Sequence, residues 1–264
     1  MKKGVSPVKR LAGLVGLVLL AVLALQLYFV VRIALMVAIN PESTAFERSE
    51  IYRIAATEGS LKWRQQWVPY DRISDRLKRA VIASEDASFI EHDGVDLEAL
   101  EKALDKNSKA EQKAQLATEQ AIKGGSRNVP GKHATLAAVK APKIIGGSTI
   151  TQQLAKNLFL TGERTLARKA QELMLALLLE ALLSKERILE IYLNNVEWGE
   201  GVFGAEAASQ HYYRKSAATL SAYEAARLAV MLPRPRYFET RPNSGYLASR
   251  AGTIVARMGG VVIP

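Results

Sequence analysis

Residues 11–31 run almost without interruption through Leu, Val, Ala and Gly, with Gln26 as the main polar break. A membrane crossing needs roughly 20 apolar residues in succession, and this run is long enough. A core helix of a water-soluble domain would carry polar residues at helical spacing, and this one does not. Lys2, Lys3, Lys9 and Arg10 precede it, which sets its amino end on the cytoplasmic side. A cleaved signal peptide would have a shorter apolar region ending at a small-x-small site. Gln26-Leu27-Tyr28-Phe29 looks instead like an interfacial belt, so the run is read as an uncleaved anchor. The expected organisation is a cytoplasmic tail over 1–10, an anchor over 11–39, a juxtamembrane segment over 40–66 and one extracytoplasmic domain over 67–264. Asn40-Pro41 breaks the anchor helix. In the segment that follows, Trp63 and Trp67 beside Lys62 and Arg64 suit either a headgroup contact or a packing element of the domain.

The remainder reads as mainly α, with no convincing strand pattern. Ser74 is a sensible cap for a helix carrying Leu77, Ala80, Val81 and Ala83 at helical spacing, which delivers Glu85 and Asp86 at its end. The end of a helix carries partial negative charge and pushes a carboxylate's pKa upward. Taken alone, Glu85 and Asp86 read as a solvated helix end. Gly146-Gly147-Ser148-Thr149 opens a second helix, with Ser148 or Thr149 as its cap, and Lys156 lies about two turns on. Free amides at such a start suit phosphate, although the Gly-Lys-Ser/Thr of a nucleotide loop is absent. Arg164 to Leu183 is helical, and the spacing of Arg168, Lys169 and Glu172 lets both cations neighbour the carboxylate. Helices are also expected over 185–195, 205–213 and 220–232, the last ended by Pro233-Arg234-Pro235. Residues 105–143 form a long charged connector, read as solvated helix or mobile linker.

A formal net charge of +10 points to an anionic partner, with phosphorylated substrate or lipid headgroups ahead of nucleic acid, because no nucleic-acid-binding motif is present. There is no cysteine, hence no disulfide framework and no thiolate metal site. His92, His133 and His211 are too scattered for a motif such as HExxH, so no metal-ligand set is assigned.

These stretches together resemble the peptidoglycan glycosyltransferase domain shared by class A penicillin-binding proteins and monofunctional transglycosylases. Glu85-Asp86-x-x-Phe89-x-x-His92-x-Gly94 matches the family's first motif at every fixed position. Gly146 to Asn157 matches its second, Arg168-Lys169-x-x-Glu172 its third, and Ile188 to Gly199 its fourth, in family order. The resemblance departs in the long connector and at Arg234, where relatives often have Asn. It implies a lysozyme-like helical domain with head and membrane-facing jaw subdomains, and no transpeptidase activity. It implies lipid II and a growing glycan chain as substrates, joined by β-1,4 links with inversion and release of undecaprenyl diphosphate. Glu85 then matches the general base and Glu172 the second carboxylate, which orients the cations or helps the leaving diphosphate. Lys156, Arg164, Arg168 and Lys169 are the charges expected to meet the diphosphate, with Ser148 and Gln153 as donors. Asp86 is expected to hold Glu85 or a cation. Phe89, His92, Gly94, Gly146, Gly147 and Asn194 are expected to shape the motifs. No cofactor is obligatory; Mg2+ or Mn2+ at the diphosphate is compatible with the family. Membrane lipids and cell-wall synthesis or division proteins fit as partners. The rival readings are a lysozyme-like muramidase or lytic transglycosylase, and an inactive membrane-anchored scaffold.

Overall fold

The structure is a computed structural model and describes residues 7–59, 62–125, 147–160, 162 and 165–264. The helices among these residues are α1 (Pro7–Leu35), α2 (Ala45–Glu58), α3 (Asp75–Glu85), α4 (Leu97–Gly125), α5 (Ile150–Phe159), α6 (Leu166–Leu182), α7 (Lys185–Asn195), α8 (Ala205–Tyr213), α9 (Ala222–Met231), α10 (Pro235–Glu239) and α11 (Gly245–Met258). The mainly α reading holds. It missed three short strands, β1 (Arg64–Gln65), β2 (Glu197–Gly199) and β3 (Val202–Phe203). β3 is central, parallel to β1 and antiparallel to β2. Strands of two or three residues are too short to write an alternating pattern into the sequence.

The chain divides into two compact units, Met1–Val95 with Thr149–Pro264, and Asp96–Ser148. In the second unit α4 is a single helix through the first part of the expected connector; residues 126–143 of that connector lie outside the described residues. Gly147 sits against α4, where an added Cβ would stand 3.2 Å from the Leu100 Cα.

In the first unit, α1 is long and apolar enough to cross a membrane. Its helical hydrogen bonding ends at Leu35, short of the expected Asn40, and continues as turns in which Met36 and Val37 donate to carbonyls three residues back. Arg187 of α7 grips the chain just past that end. Its Nε donates to the Met36 carbonyl at 2.8 Å, its Nη2 to Asn40 Oδ1 at 2.7 Å, and it lies over the Trp67 ring. Most of α1 is exposed, as a lipid-facing helix should be, but Phe29, Ile33 and Met36 are buried in the domain core. Gln26, the polar break, meets Gln171 of α6 at 3.4 Å. The anchor is therefore part of the domain over its last turns.

The juxtamembrane segment is a packing element. Thr44 and Glu47 form a capping box at the start of α2, and Trp63 stacks on Phe203 with ring centroids 4.4 Å apart. Glu47 is fully buried, and burial pushes its carboxyl up to about 7 against the hydrogen bonds from Thr44 and Gln65 that pull it down. Glu197 is pushed up to about 7 by the same cause, with Arg236 opposing. A carboxyl raised in the folded state stabilises fully below its unfolded pKa, and that contribution fades as pH rises through the folded value. Between pH 4.5 and 7 both groups therefore weaken the fold as pH rises. Glu47→Gln keeps the capping geometry and removes the titration, so the fall in melting temperature from pH 5 to pH 8 is expected to be smaller than in the wild type.

Asn194 is fully buried and ties α7 to the segment before α3. It accepts from Val68 N–H at 2.8 Å and donates to Val68 C=O at 2.9 Å. Asn194→Ala strands both backbone groups, at roughly 2–4 kcal/mol. Thermal melting is expected to show a fall of about 5–10 °C.

Candidate active site

α3 begins as expected at Ser74, whose side chain accepts from Arg76 N–H, and buries Leu77, Ala80, Val81, Ile82 and Ala83. Its last residue is Glu85. The carboxylate is half-buried rather than solvated, and Oε2 accepts from Gln153 Nε2 at 3.1 Å. The Gln153 amide is held the other way round by Tyr192, whose hydroxyl donates to Oε1 at 3.0 Å. Tyr192 is fully buried, and burial beside Glu85 and Asp86 lifts its phenol well above the ordinary range, so it stays neutral and donates. The Glu85 carboxyl is itself raised, in the expected direction. Burial is the main cause; the hydrogen bonds from Gln153 and Ser84 oppose it, the Asp86 charge adds to it, and Arg250 counters.

Asp86 is buried and faces two other elements. Oδ2 accepts from Ile150 N–H, the first amide of α5, at 2.9 Å, and Oδ1 meets His92 Nε2 at 2.9 Å. Gly94 N–H donates to His92 Nδ1 at 3.1 Å, so a neutral ring carries its proton on Nε2, aimed at Asp86. Gly94 has φ +86°, and a Cβ there would meet Glu180 Cγ at 3.0 Å and the Ala176 carbonyl at 3.3 Å. Its carbonyl accepts from the Thr149 hydroxyl at 2.7 Å. Phe89 is buried, with the Lys185 ammonium 4.6 Å from its ring centroid. Lys185 also donates to the His92 carbonyl and to Glu180, which accepts from Thr151. Asp86, Thr149 and Gln153 thus join the first two motifs through three separate hydrogen bonds.

Thr149, of the two caps considered, is the cap of α5, and its hydroxyl accepts from Gln152 N–H. Ile150 N–H is given to Asp86 and Gln152 N–H to Thr149, so two of the first-turn amides of α5 are taken by the protein's own groups. The sequence offers an ordinary capped start and a phosphate-ready one alike, and the capping box is the capped form. Ser148 is exposed; Gly146 and Arg164 lie outside the described residues.

The cationic group lies on α5 and α6. Thr165 caps α6 by accepting from Arg168 N–H. Glu172 is buried with both oxygens engaged, Oε2 by Arg168 Nη1 at 2.8 Å and Oε1 by Lys169 Nζ at 2.5 Å. The i, i+4 geometry read from the sequence is present, as a buried carboxylate rather than a surface trio. Arg168 Nε is buried and finds no hydrogen-bond acceptor among the described residues. Lys156 makes no ion pair among the described residues. Its side chain reaches water, yet the surrounding protein still strips enough solvent from the ammonium to hold it below the ordinary lysine range. Glu172 opposes that shift and the Arg168 and Lys169 charges reinforce it. Lys156 follows Gln153 by three residues on α5, about one turn. One short helix therefore carries both the partner of Glu85 and the lysine that feels the Glu172 cluster.

The transglycosylase family profile matches residues 52–126 and 131–259. The chain belongs to the transglycosylase family. It is 47% identical over 256 residues to a protein of Herminiimonas arsenicoxydans named biosynthetic peptidoglycan transglycosylase, covering 97% of this chain and 98% of that one. A protein of the same name from Burkholderia thailandensis is 46% identical, covering all of this chain and 90% of the relative. A third, from Bordetella pertussis, is 51% identical over 225 residues, covering 85% of this chain and 82% of the relative. Among the site residues, Glu180 and Lys185 are those that sequence reasoning did not single out, and Tyr192 was read only as part of a motif, with no role. Tyr192 lay inside the fourth motif, and that was the available signal. Glu180 and Lys185 carried none, because their partners at Thr151 and His92 are remote in sequence.

Proposed function

We propose that this chain polymerises lipid II, a disaccharide-pentapeptide on undecaprenyl diphosphate, into β-1,4-linked glycan strands. The relatives are named for peptidoglycan biosynthesis, which supports the substrate class. The observation that carries the reading is the juxtaposition on α5: Gln153 holds Glu85, and Lys156 one turn on feels the charges of the Arg168–Lys169–Glu172 cluster.

Glu85 accepts the proton from the 4-hydroxyl of the acceptor GlcNAc as that oxygen bonds to C1 of the donor MurNAc. The bond from C1 to the diphosphate oxygen breaks, its electron pair leaves with undecaprenyl diphosphate, and C1 inverts. A raised carboxyl is a stronger base once ionised, and its partial burial limits the water that competes for the proton. Lys156, Arg164, Arg168 and Lys169 meet the charge growing on the diphosphate, with Ser148 and Gln153 as further donors. Arg168 Nε, without an acceptor among the described residues, supports this, since a buried N–H without an acceptor is costly until a ligand oxygen arrives. Glu172 holds Arg168 and Lys169 in place. Each of its oxygens accepts from one of these cations, which places the side-chain cations to carry the leaving-group charge, and Mg2+ or Mn2+ at the diphosphate is compatible with that arrangement. Asp86 acts through position, fixing α5 and the His92 loop beside Glu85. The anchor keeps the domain on the extracytoplasmic face, with the amino end cytoplasmic, where the lipid substrate's sugars lie.

Purified full-length chain incubated with lipid II is expected to yield glycan polymer and to release nothing from isolated sacculi. Soluble muropeptides from sacculi, with no polymer from lipid II, would replace this reading with a lytic one.

A further inference from the structure

Where α1 gives way to the turn before α2, a cavity of about 230 Å³ opens. Its lining is divided by chemistry. Leu35, Met36 and Ile39 supply an apolar side, and Arg32, Arg48 and Glu42 supply charge. Arg48 is pre-placed, with Nη1 donating to the Ser43 carbonyl and hydroxyl, both at 3.1 Å. Arg32 sits in the last turn of α1 with its guanidinium 6.0 Å from the Tyr28 ring centroid. Among the described residues neither arginine makes an ion pair, although Glu42 lines the same cavity. Two guanidiniums against one carboxylate leave the cavity positive.

Its place along the chain narrows what could neutralise it. Leu35, Val37 and Ile39 are large apolar side chains left exposed at the end of the helix long enough to span a bilayer. The charged side of the cavity begins among these same residues, which is the boundary between acyl chains and headgroups. Guanidinium groups fit phosphate oxygens with paired N–H donors, and they hold their charge at that depth. A ligand with a phosphodiester for Arg32 and Arg48, and a glycerol and acyl portion for Leu35 and Ile39, matches both sides at once. We propose that this cavity binds the headgroup of an anionic phospholipid in the leaflet where the anchor emerges. The bound lipid fixes the depth and rotation of α1, and through the Arg187 clamp on Met36 and Asn40 it bears on α7. This inference rests on the anchor crossing the membrane; it does not depend on the chemistry assigned to Glu85.

The full-length chain in nanodiscs of phosphatidylcholine doped with phosphatidylglycerol tests it, by native mass spectrometry of the lipids that stay bound. The wild type is expected to retain phosphatidylglycerol in preference to phosphatidylcholine. Arg32→Gln/Arg48→Gln is expected to lose about fivefold in that preference for each arginine removed. Arg72→Gln/Arg257→Gln removes two exposed arginines outside the cavity and is expected to leave the preference intact. An equal loss in both double variants would mean diffuse surface attraction and would overturn the site. So would a wild type with no preference, a result that requires no variant to fold. Inorganic phosphate separates the two sources of the same chemistry. Binding of free phosphate that depends on Arg32 and Arg48, with no lipid preference, would also overturn the proposal.

Discussion

Glu85→Gln is expected to lower lipid II polymerisation by roughly 10²–10⁴-fold, the usual contribution of a positioned general base. The substitution is nearly isosteric, and the amide can still meet Gln153, so the melting temperature should stay within about 1–2 °C of the wild type. Loss of activity with loss of fold would say nothing about the proton. Loss of activity at unchanged stability, with lipid II still bound, identifies the missing step as chemistry. Full activity in the variant would remove Glu85 as the base. The pH profile supplies a second reading. A base must be ionised to act, and Glu85 is held above the ordinary glutamate range chiefly by burial. The acid limb of kcat against pH should therefore lie above that range, with activity rising as pH passes the raised value. Gln153→Ala removes a hydrogen bond that favours the ionised form and should move the limb further up. A limb unmoved in Gln153→Ala would mean that another group sets the profile.

What could be read from the chain beforehand was whatever is encoded locally. The anchor was legible because a run of some 20 apolar residues has few alternative fates. The α3 core face was legible from the spacing of Leu77, Ala80 and Val81, and the Glu172 cluster from the spacing of Arg168 and Lys169. The direction of the Glu85 shift was also legible, though its main cause was not. Helix-end polarity can be argued from sequence, whereas burial depends on what packs over residue 85. The same holds for Asp86, whose partner at Ile150 lies 64 residues away. Within the anchor, Phe29, Ile33 and Met36 are buried while Leu25, Leu27 and Val31 are exposed. A uniformly apolar run carries no periodic signal to say which face a domain will claim. Nor did anything in the sequence announce Arg187, which bonds the Met36 carbonyl just past the end of α1 from another helix.

Lys156→Ala is expected to cost roughly 10²–10³-fold in kcat/KM, the scale for removing one group that meets developing transition-state charge. Its stability cost should be small. Lys156 has no ion-pair partner among the described residues, and burial already disfavours its charge, so the folded chain loses little with the ammonium. Arg168→Ala should differ in kind. It removes one of the two cations bound to a buried Glu172 and leaves that carboxylate with the half-exposed Lys169 alone. Breaking a buried pair from one side costs about 3–5 kcal/mol, reduced here because Arg168 is itself partly accessible. Arg168→Ala is thus expected to lose both activity and several degrees of melting temperature. Arg168→Ala/Glu172→Ala should recover part of the stability without recovering the activity. That separation decides between a cationic cradle for a departing diphosphate and a cluster that only holds α6 together. If Lys156→Ala polymerises lipid II normally, or if the double variant regains activity along with stability, the cations are structural and the diphosphate is met elsewhere.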